Sequence, residues 1–296
     1  MRAPDQISAM TIAIILGIAA SAFLGAGLVL TQFGLRTIHP LSGAAISVPS
    51  FTLVFLLLSP ILLRGETIVW HAVPIFVAVG LVFPAVLTII TFASNRALGP
   101  VVTGALGNLS PLLSVAVAVV LLHEPLRALQ FGGLMVTVLG VLTITVTRTD
   151  DMRDWRTWAL LLPLGASVGR GIIPPVIKIG LETWPSPIAA GLTGYIVSTL
   201  TVLTVERVRT GRFMVQAPLP GKLWFACTGI CNGIGTLLLY VALGAGPVSL
   251  VAPLYATYPL FTVGMSALFL GNVKITFRLV AGTALTVGGV MLVLVG

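Results

Sequence analysis

Charged side chains are scarce in this chain of 296 residues. Only 8% of the residues are charged, and acidic residues number 8 against 16 lysines and arginines. Soluble domains carry roughly 25% charged residues, so this composition excludes a water-exposed globular fold. The two cysteines, Cys227 and Cys231, lack the redox CxxC spacing, and the three histidines are scattered. The sequence therefore predicts neither a metal site nor a cofactor.

Long apolar runs account for most of the chain. Hydrophobic residues make up 57% of it, and the mean hydropathy is +1.11. A membrane span needs about 20 mainly apolar residues. Runs of that length predict an all-α integral membrane protein with ten transmembrane helices, at roughly 9–33, 41–63, 72–95, 101–122, 128–147, 158–181, 187–205, 222–243, 248–270 and 276–295.

A five-helix unit occurs twice in the sequence. At an offset of 146, the matching pairs are Ala20/Ala166, Ser21/Ser167, Gly25/Gly171, Gly34/Gly180, Leu35/Leu181 and Thr37/Thr183. A repeat with an odd number of spans enters the membrane in opposite orientations, as in alternating-access transporters. We therefore predict two inverted repeats, 1–147 and 158–296, joined by a loop at 148–157.

Glycines recur at matching places in the two halves. Gly133 and Gly140 in the fifth span recur as Gly282 and Gly289 in the tenth. Small residues allow membrane helices to approach closely, so these glycines, with Gly104 and Gly107 in the fourth span, are predicted helix contacts.

The net charge of +8 is explained by the loops and does not indicate nucleic-acid binding. If both termini share one face, that face carries Arg2, Arg64 and Arg127. The odd-numbered loops carry Arg36, Arg96, Arg148, Arg153, Arg156, Arg207, Arg209, Arg212, Lys222, Lys274 and Arg278. Cytoplasmic loops are enriched in lysine and arginine. The pattern predicts a multi-pass protein of the plasma (inner) membrane with both termini outside.

Several loose motifs occur in the same order in both halves. The first half has Ala97-Leu98-Gly99-Pro100, Ser110-Pro111, Leu121-Leu122-His123-Glu124 and Gly132-Gly133, and the second has Tyr240-Val241-Ala242-Leu243, Pro259, Leu270-Gly271-Asn272 and Gly288-Gly289-Val290. This arrangement resembles the ten-helix EamA-type members of the drug/metabolite transporter superfamily. One departure is that Glu124 has Asn272 or Val273 as its counterpart. The resemblance implies export of amino acids, other metabolites or drugs through a central cavity between the halves.

Arg170 is the most unusual residue of the predicted spans, because it lies near the bilayer centre with no acidic residue at comparable depth. A central arginine costs at least about 2.5–3.5 kcal/mol. In one reading, Arg170 satisfies backbone carbonyls freed by the predicted helix breaks at Pro174 and Pro175. In the other, it binds an anionic group of the substrate, such as a carboxylate.

Prolines at matching places in the two halves indicate a transport site. Asn108 and Ser110 precede Pro111 in the fourth span, and Tyr255 and Tyr258 precede Pro259 in the ninth. These side chains are predicted either to bind substrate or to hydrogen-bond between helices.

Two further residues of the eighth span, Asn232 and Tyr240, are second-rank candidates for substrate binding. Lys178 lies near the end of the sixth span and is expected to extend to the interface.

Every acidic residue falls at a span end or in a loop. Proton-coupled export of cations generally places a carboxylate within the bilayer, which disfavours a cation-drug exporter. No nucleophile or acid–base set indicates an enzyme. The sequence predicts a secondary transporter of a small carboxylate-bearing metabolite, acting in a lipid bilayer as a monomer or homodimer. The alternatives are a broad drug or cation exporter and a lipid translocator.

Overall fold

A computed structural model of the chain describes residues 3–94, 97, 107, 109–146, 157–212, 214–270 and 277–296. The described residues contain helices and connecting turns but no strand. The helices are α1 (Ala3–Gly34), α2 (Pro40–Leu62), α3 (Val73–Ser94), α4 (Ser110–Leu121), α5 (Ala128–Val146), α6 (Leu161–Thr183), α7 (Pro187–Thr210), α8 (Leu219–Ala245), α9a (Val248–Tyr255), α9b (Tyr258–Leu270) and α10 (Phe277–Val295).

Local sequence signals fix the ends of these helices, as α7 illustrates. The Ser186 hydroxyl caps its first turn by accepting a hydrogen bond from the Ala189 amide, and Pro187 occupies the first helical position. Both choices suit a helix start, where backbone amides lack partners. Gly211 ends the helix with φ of 74°, in the left-handed region that glycine adopts without strain.

Six helices are long and apolar enough to cross a membrane. They run over Ala9–Gly34, Pro40–Ile61, Val73–Ser94, Trp158–Thr183, Pro187–Thr210 and Leu219–Ala245. Shorter apolar helices lie at the other four predicted positions, at Ser110–Leu121, Ala128–Thr143, Val248–Thr262 and Val280–Val295. The prediction of an all-helical membrane protein is confirmed, while the number of ten crossings remains a prediction.

The contact between α5 and α10 shows the symmetry of the two halves. A Cβ added to Gly133 would lie 2.7 Å from the carbonyl oxygen of Gly289, and one added to Gly140 would lie 2.8 Å from that of Gly282. In the repeat, Gly133 corresponds to Gly282 and Gly140 to Gly289. The contact of Gly133 with Gly289 therefore has the contact of Gly282 with Gly140 as its equivalent. Such reciprocal pairing is the mark of a two-fold relation. The pairing runs antiparallel, as inverted repeats require.

A second pair of contacts follows the same relation. A Cβ on Gly25 of α1 would lie 2.9 Å from the carbonyl oxygen of Tyr258 on α9b. Its repeat partner Gly171 on α6 stands against α4, where a Cβ would lie 3.1 Å from the carbonyl oxygen of Ser110. The predicted glycine repeats therefore correspond to equivalent helix crossings, α1 with α9b and α6 with α4.

The predicted helix breaks are only partly observed. The ninth span is interrupted at Ala256–Thr257, and Pro259 is the second residue of α9b. Pro111 is likewise the second residue of α4, where its missing amide costs nothing.

In contrast, the breaks predicted at Pro174 and Pro175 are wrong, because α6 continues through both residues. Proline fixes φ at a value compatible with a helix, and membrane helices tolerate the lost backbone bonds. An unpredicted interruption lies in α3, where Phe83 has non-helical φ and ψ of −128° and 130° just before Pro84.

Candidate functional site

A cavity of about 100 Å³ lies between helices of both halves. Its walls come from α1, α3, α4, α6, α7, α8 and the α9a–α9b break. Seven of the residues predicted for the site line it: Arg170, Ser110, Pro111, Pro174, Asn232, Tyr255 and Tyr258. The cavity is therefore built where the two halves meet, at the break in the ninth span.

Arg170 is held in this cavity by a hydroxyl from the opposite half. Its Nη2 donates a hydrogen bond of 2.8 Å to Oγ1 of Thr91 on α3. The Thr91 hydroxyl in turn donates to the Leu87 carbonyl oxygen at 2.6 Å, so its oxygen is left to act as an acceptor. This bond was not foreseen from the sequence. Among the described residues, Arg170 donates to a hydroxyl and not to a carbonyl freed by proline.

The described lining residues include no acidic side chain. The buried carboxylate Glu206, 2% exposed, lies instead near the end of α7. It accepts a hydrogen bond from Ser42 Oγ at 2.9 Å and forms an ion pair with Arg209 at 3.0 Å. This acidic group is thus committed to joining α2 and α7. The guanidinium of Arg170 consequently faces neutral groups in the described part of the cavity.

Two polar oxygens at the cavity lack a hydrogen-bond partner among the described residues. Ser114 Oγ on α4 and Asn232 Oδ1 on α8 are both buried, and both residues line the cavity. A buried polar atom without a partner costs roughly 1–3 kcal/mol. These residues add neutral hydrogen-bonding groups to a lining that also contains apolar side chains such as Leu24 and Phe83.

Tyr195 is a lining residue that sequence reasoning missed. It lies on α7, on which the sequence predicted no site residue, and its hydroxyl donates to Thr236 Oγ1 on α8 at 3.2 Å. Its ring packs edge-to-face on Phe51, with the centroids 5.0 Å apart. The sequence carried no signal for it, because a tyrosine in an apolar span packs against neighbours as readily as it lines a cavity.

The remaining predicted residues lie elsewhere. Tyr240 is 2% exposed and belongs to the core, where it packs with residues of α3 and α6 and does not line the cavity. Pro175 and Pro259 are buried outside the lining. Asn108 falls outside the described residues.

Two charged residues hold the turn between α8 and α9a from different helices. Glu124 follows α4, and its carboxylate accepts hydrogen bonds from the amides of Val248 at 2.8 Å and Ser249 at 2.9 Å. Lys178 of α6 donates to the carbonyl oxygens of Leu243 at 2.8 Å and Gly246 at 3.1 Å. The acid thus meets a helix start and the base a helix end, as the helix dipole favours.

This arrangement changes the interpretation of Lys178. The sequence suggested that its ammonium extends to the membrane interface, whereas the structure engages it with the carbonyls that end α8. Those carbonyls have no intrahelical donor, and the ammonium supplies one. Glu124 meanwhile joins the first half of the chain to the second.

The variant Glu124→Gln is expected to lower the midpoint of thermal unfolding of the purified protein. Glutamine retains one acceptor but presents an amide donor to the second backbone amide and removes the charge. Hydrogen bonds to charged groups contribute about 1.5–3 kcal/mol, and partial exposure reduces this to about 1–2 kcal/mol. Glu182→Gln, at an exposed position near the end of α6, is the control and should leave the midpoint unchanged. Equal midpoints for both variants would contradict the role of Glu124.

Comparison with known proteins gives the family and the fold. The sequence profile of the EamA-like transporter family matches residues 11–146 and again residues 157–295. A solved crystal structure superposes with a TM-score of 0.77 at 18% identity, over 95% of this chain and 95% of that chain. At this identity the likeness concerns the fold alone. No curated protein matches the chain. The resemblance drawn from the sequence motifs is confirmed.

Proposed function

We propose that this chain, which belongs to the EamA-like transporter family, exports a small metabolite carrying a carboxylate group. The family supports a membrane transporter of the drug/metabolite type, and the substrate class is our inference. The observation that carries it is Arg170, a cation in a largely apolar cavity with no acidic side chain among the described lining residues. A permanent positive charge in such a place favours an anionic ligand group.

The rest of the cavity suits an amino acid or a related compound. Apolar side chains such as Leu24, Ile173 and Leu239 provide much of the wall. Neutral oxygens from Tyr195, Tyr255 and other residues can accept hydrogen bonds from a substrate amino group. Binding pockets typically combine such apolar walls with a few placed polar groups. We infer a zwitterion with an apolar body, anchored at its carboxylate.

Alternating access would use the contact between the halves at this site. Arg170 belongs to the second half and its partner Thr91 to the first, so a bound anion lies between the parts that move. An unpaired buried charge is costly, and pairing it with substrate favours closure around the substrate. We propose that this cycle moves the metabolite from the cytoplasm across the plasma (inner) membrane.

Counterflow in proteoliposomes tests the proposed function. Wild-type protein in vesicles preloaded with unlabelled L-leucine is expected to accumulate labelled L-leucine faster than protein-free vesicles. Leucine amide, which lacks the carboxylate, should compete at least about tenfold less well, because it loses a charge-assisted pair with Arg170. Equal competition by the amide would contradict a carboxylate anchor.

The same vesicles distinguish the alternatives left open by the sequence. Transport of the cationic dye ethidium without amino-acid counterflow would indicate a drug exporter. Movement of a fluorescent phospholipid between leaflets, without either of the others, would indicate a lipid translocator. Either result would replace the proposed function.

A further inference from the structure

Gly107, just before α4, is a glycine that helix packing does not explain. Among the described residues, a Cβ added there would have two heavy atoms within 4 Å, Arg170 Nη1 at 3.7 Å and Tyr258 Oη at 3.8 Å, which are ordinary contact distances. Two glycines of α6 differ. A Cβ on Gly171 would lie 2.5 Å from Leu113 Cβ, and one on Gly169 would lie 2.7 Å from Leu87 Cδ2. Gly107 does contact α6, as predicted, but a side chain would fit there, so this contact does not require a glycine.

Gly107 borders a nitrogen of Arg170 other than the one that Thr91 binds. Thr91 engages Nη2, whereas Nη1 and the hydroxyl of Tyr258 both lie near the position a Gly107 side chain would occupy. Both groups can donate hydrogen bonds. The carbonyl of Gly107 faces α6, where Ser167 Oγ donates to it at 3.4 Å. The space beside the Gly107 Cα is thus flanked by two donors, one of them charged.

We propose that Gly107, Arg170 Nη1 and Tyr258 Oη bound a carboxylate subsite, in which Gly107 is a specificity-determining residue. This inference rests on the proposed function and deepens it. The carboxylate accepts hydrogen bonds from Nη1 and from the Tyr258 hydroxyl. The missing side chain at residue 107 leaves room for the carboxylate and for the substituents on the neighbouring carbon. Residue 107 therefore limits the bulk that a substrate carries beside its carboxylate.

The variant Gly107→Ala tests the subsite. A methyl group at ordinary contact distance from Arg170 and Tyr258 should be tolerated by the fold but occupy the space of the ligand. Crowding a fitted site commonly costs enough to change affinity about tenfold or more. We expect KM for labelled L-leucine in counterflow to rise by about that factor, with an unchanged midpoint of thermal unfolding. Gly165→Ala on α6, where no atom of the described residues lies within 4 Å of an added Cβ, should keep the wild-type KM.

Tyr258→Phe provides an independent measurement, because it removes one hydroxyl and keeps the ring. It should raise KM for L-leucine about fivefold to tenfold and leave competition by leucine amide almost unchanged. If Gly107→Ala fails to fold, the KM of Tyr258→Phe alone tests the carboxylate subsite. Wild-type KM in Tyr258→Phe, or in folded Gly107→Ala, would overturn the subsite while amino-acid counterflow leaves the proposed function intact. Absence of counterflow in the wild type would overturn the proposed function itself.

Discussion

Replacing Arg170 by alanine is expected to raise KM for L-leucine counterflow by about 100-fold or more, without loss of folded protein. The substrate carboxylate would enter a largely apolar cavity without its counter-charge, and removing one partner of a buried pair costs about 3–5 kcal/mol. Arg170→Lys should restore part of the affinity, because lysine keeps the charge but not the planar fork of donors. Steady-state counterflow in proteoliposomes measures both.

Thermal unfolding of the same variants separates binding from a structural role. A cation near the bilayer centre is destabilising by itself, so Arg170→Ala should unfold at the wild-type midpoint or above it. Lys178→Ala on the same helix is the contrasting control. Lys178 binds two carbonyl oxygens at the end of α8, and its loss should lower the midpoint and leave KM within about twofold. A lowered midpoint for Arg170→Ala with unchanged KM would make Arg170 a structural residue.

The elements that depend on spacing along the chain could be predicted from the sequence. The repeated glycines of the fifth and tenth spans were predicted as helix contacts, because close packing needs small residues, and they lie where α5 and α10 cross. Arg170, Tyr255 and Tyr258 were predicted as site residues because charged and polar residues and prolines are conspicuous in apolar spans, and all three line the cavity. Polar and charged residues are rare in these spans, so each one is a strong indication of a functional or structural role.

The partners of those residues could not be predicted, for a physical reason. In water, a polar and an apolar face show how a helix is rotated, but lipid and protein core are both apolar. The sequence therefore does not reveal that Thr91 faces Arg170 or that Tyr195 reaches the cavity. Prolines also predicted helix breaks poorly. A break was predicted at Pro174, where α6 continues, and none was predicted at Pro84, just before which α3 is interrupted.

The variant Gly133→Ala is expected to destabilise the protein strongly through the contact between α5 and α10. The added methyl group would lie 2.7 Å from both the Gly289 carbonyl oxygen and the Val293 amide nitrogen. Both are backbone atoms, so α10 must shift as a whole, and forcing extra volume into a close-packed contact costs about 1–3 kcal/mol or more. We expect a lower midpoint of thermal unfolding and a smaller monodisperse fraction after purification.

Gly132→Ala is the matched control, because no atom in the described part of the chain lies within 4 Å of a Cβ added at this neighbouring residue. Alanine is favoured over glycine in a helix by about 1 kcal/mol, so this variant should be neutral or slightly stabilised. Gly132→Ala and Gly133→Ala would then change the stability of the protein in opposite directions. Helix propensity alone cannot produce this difference, because both replace glycine by alanine in the same helix. Equal midpoints for Gly132→Ala and Gly133→Ala would mean that α5 and α10 do not cross at this glycine. The reciprocal pairing that relates the two halves would then lose its central contact.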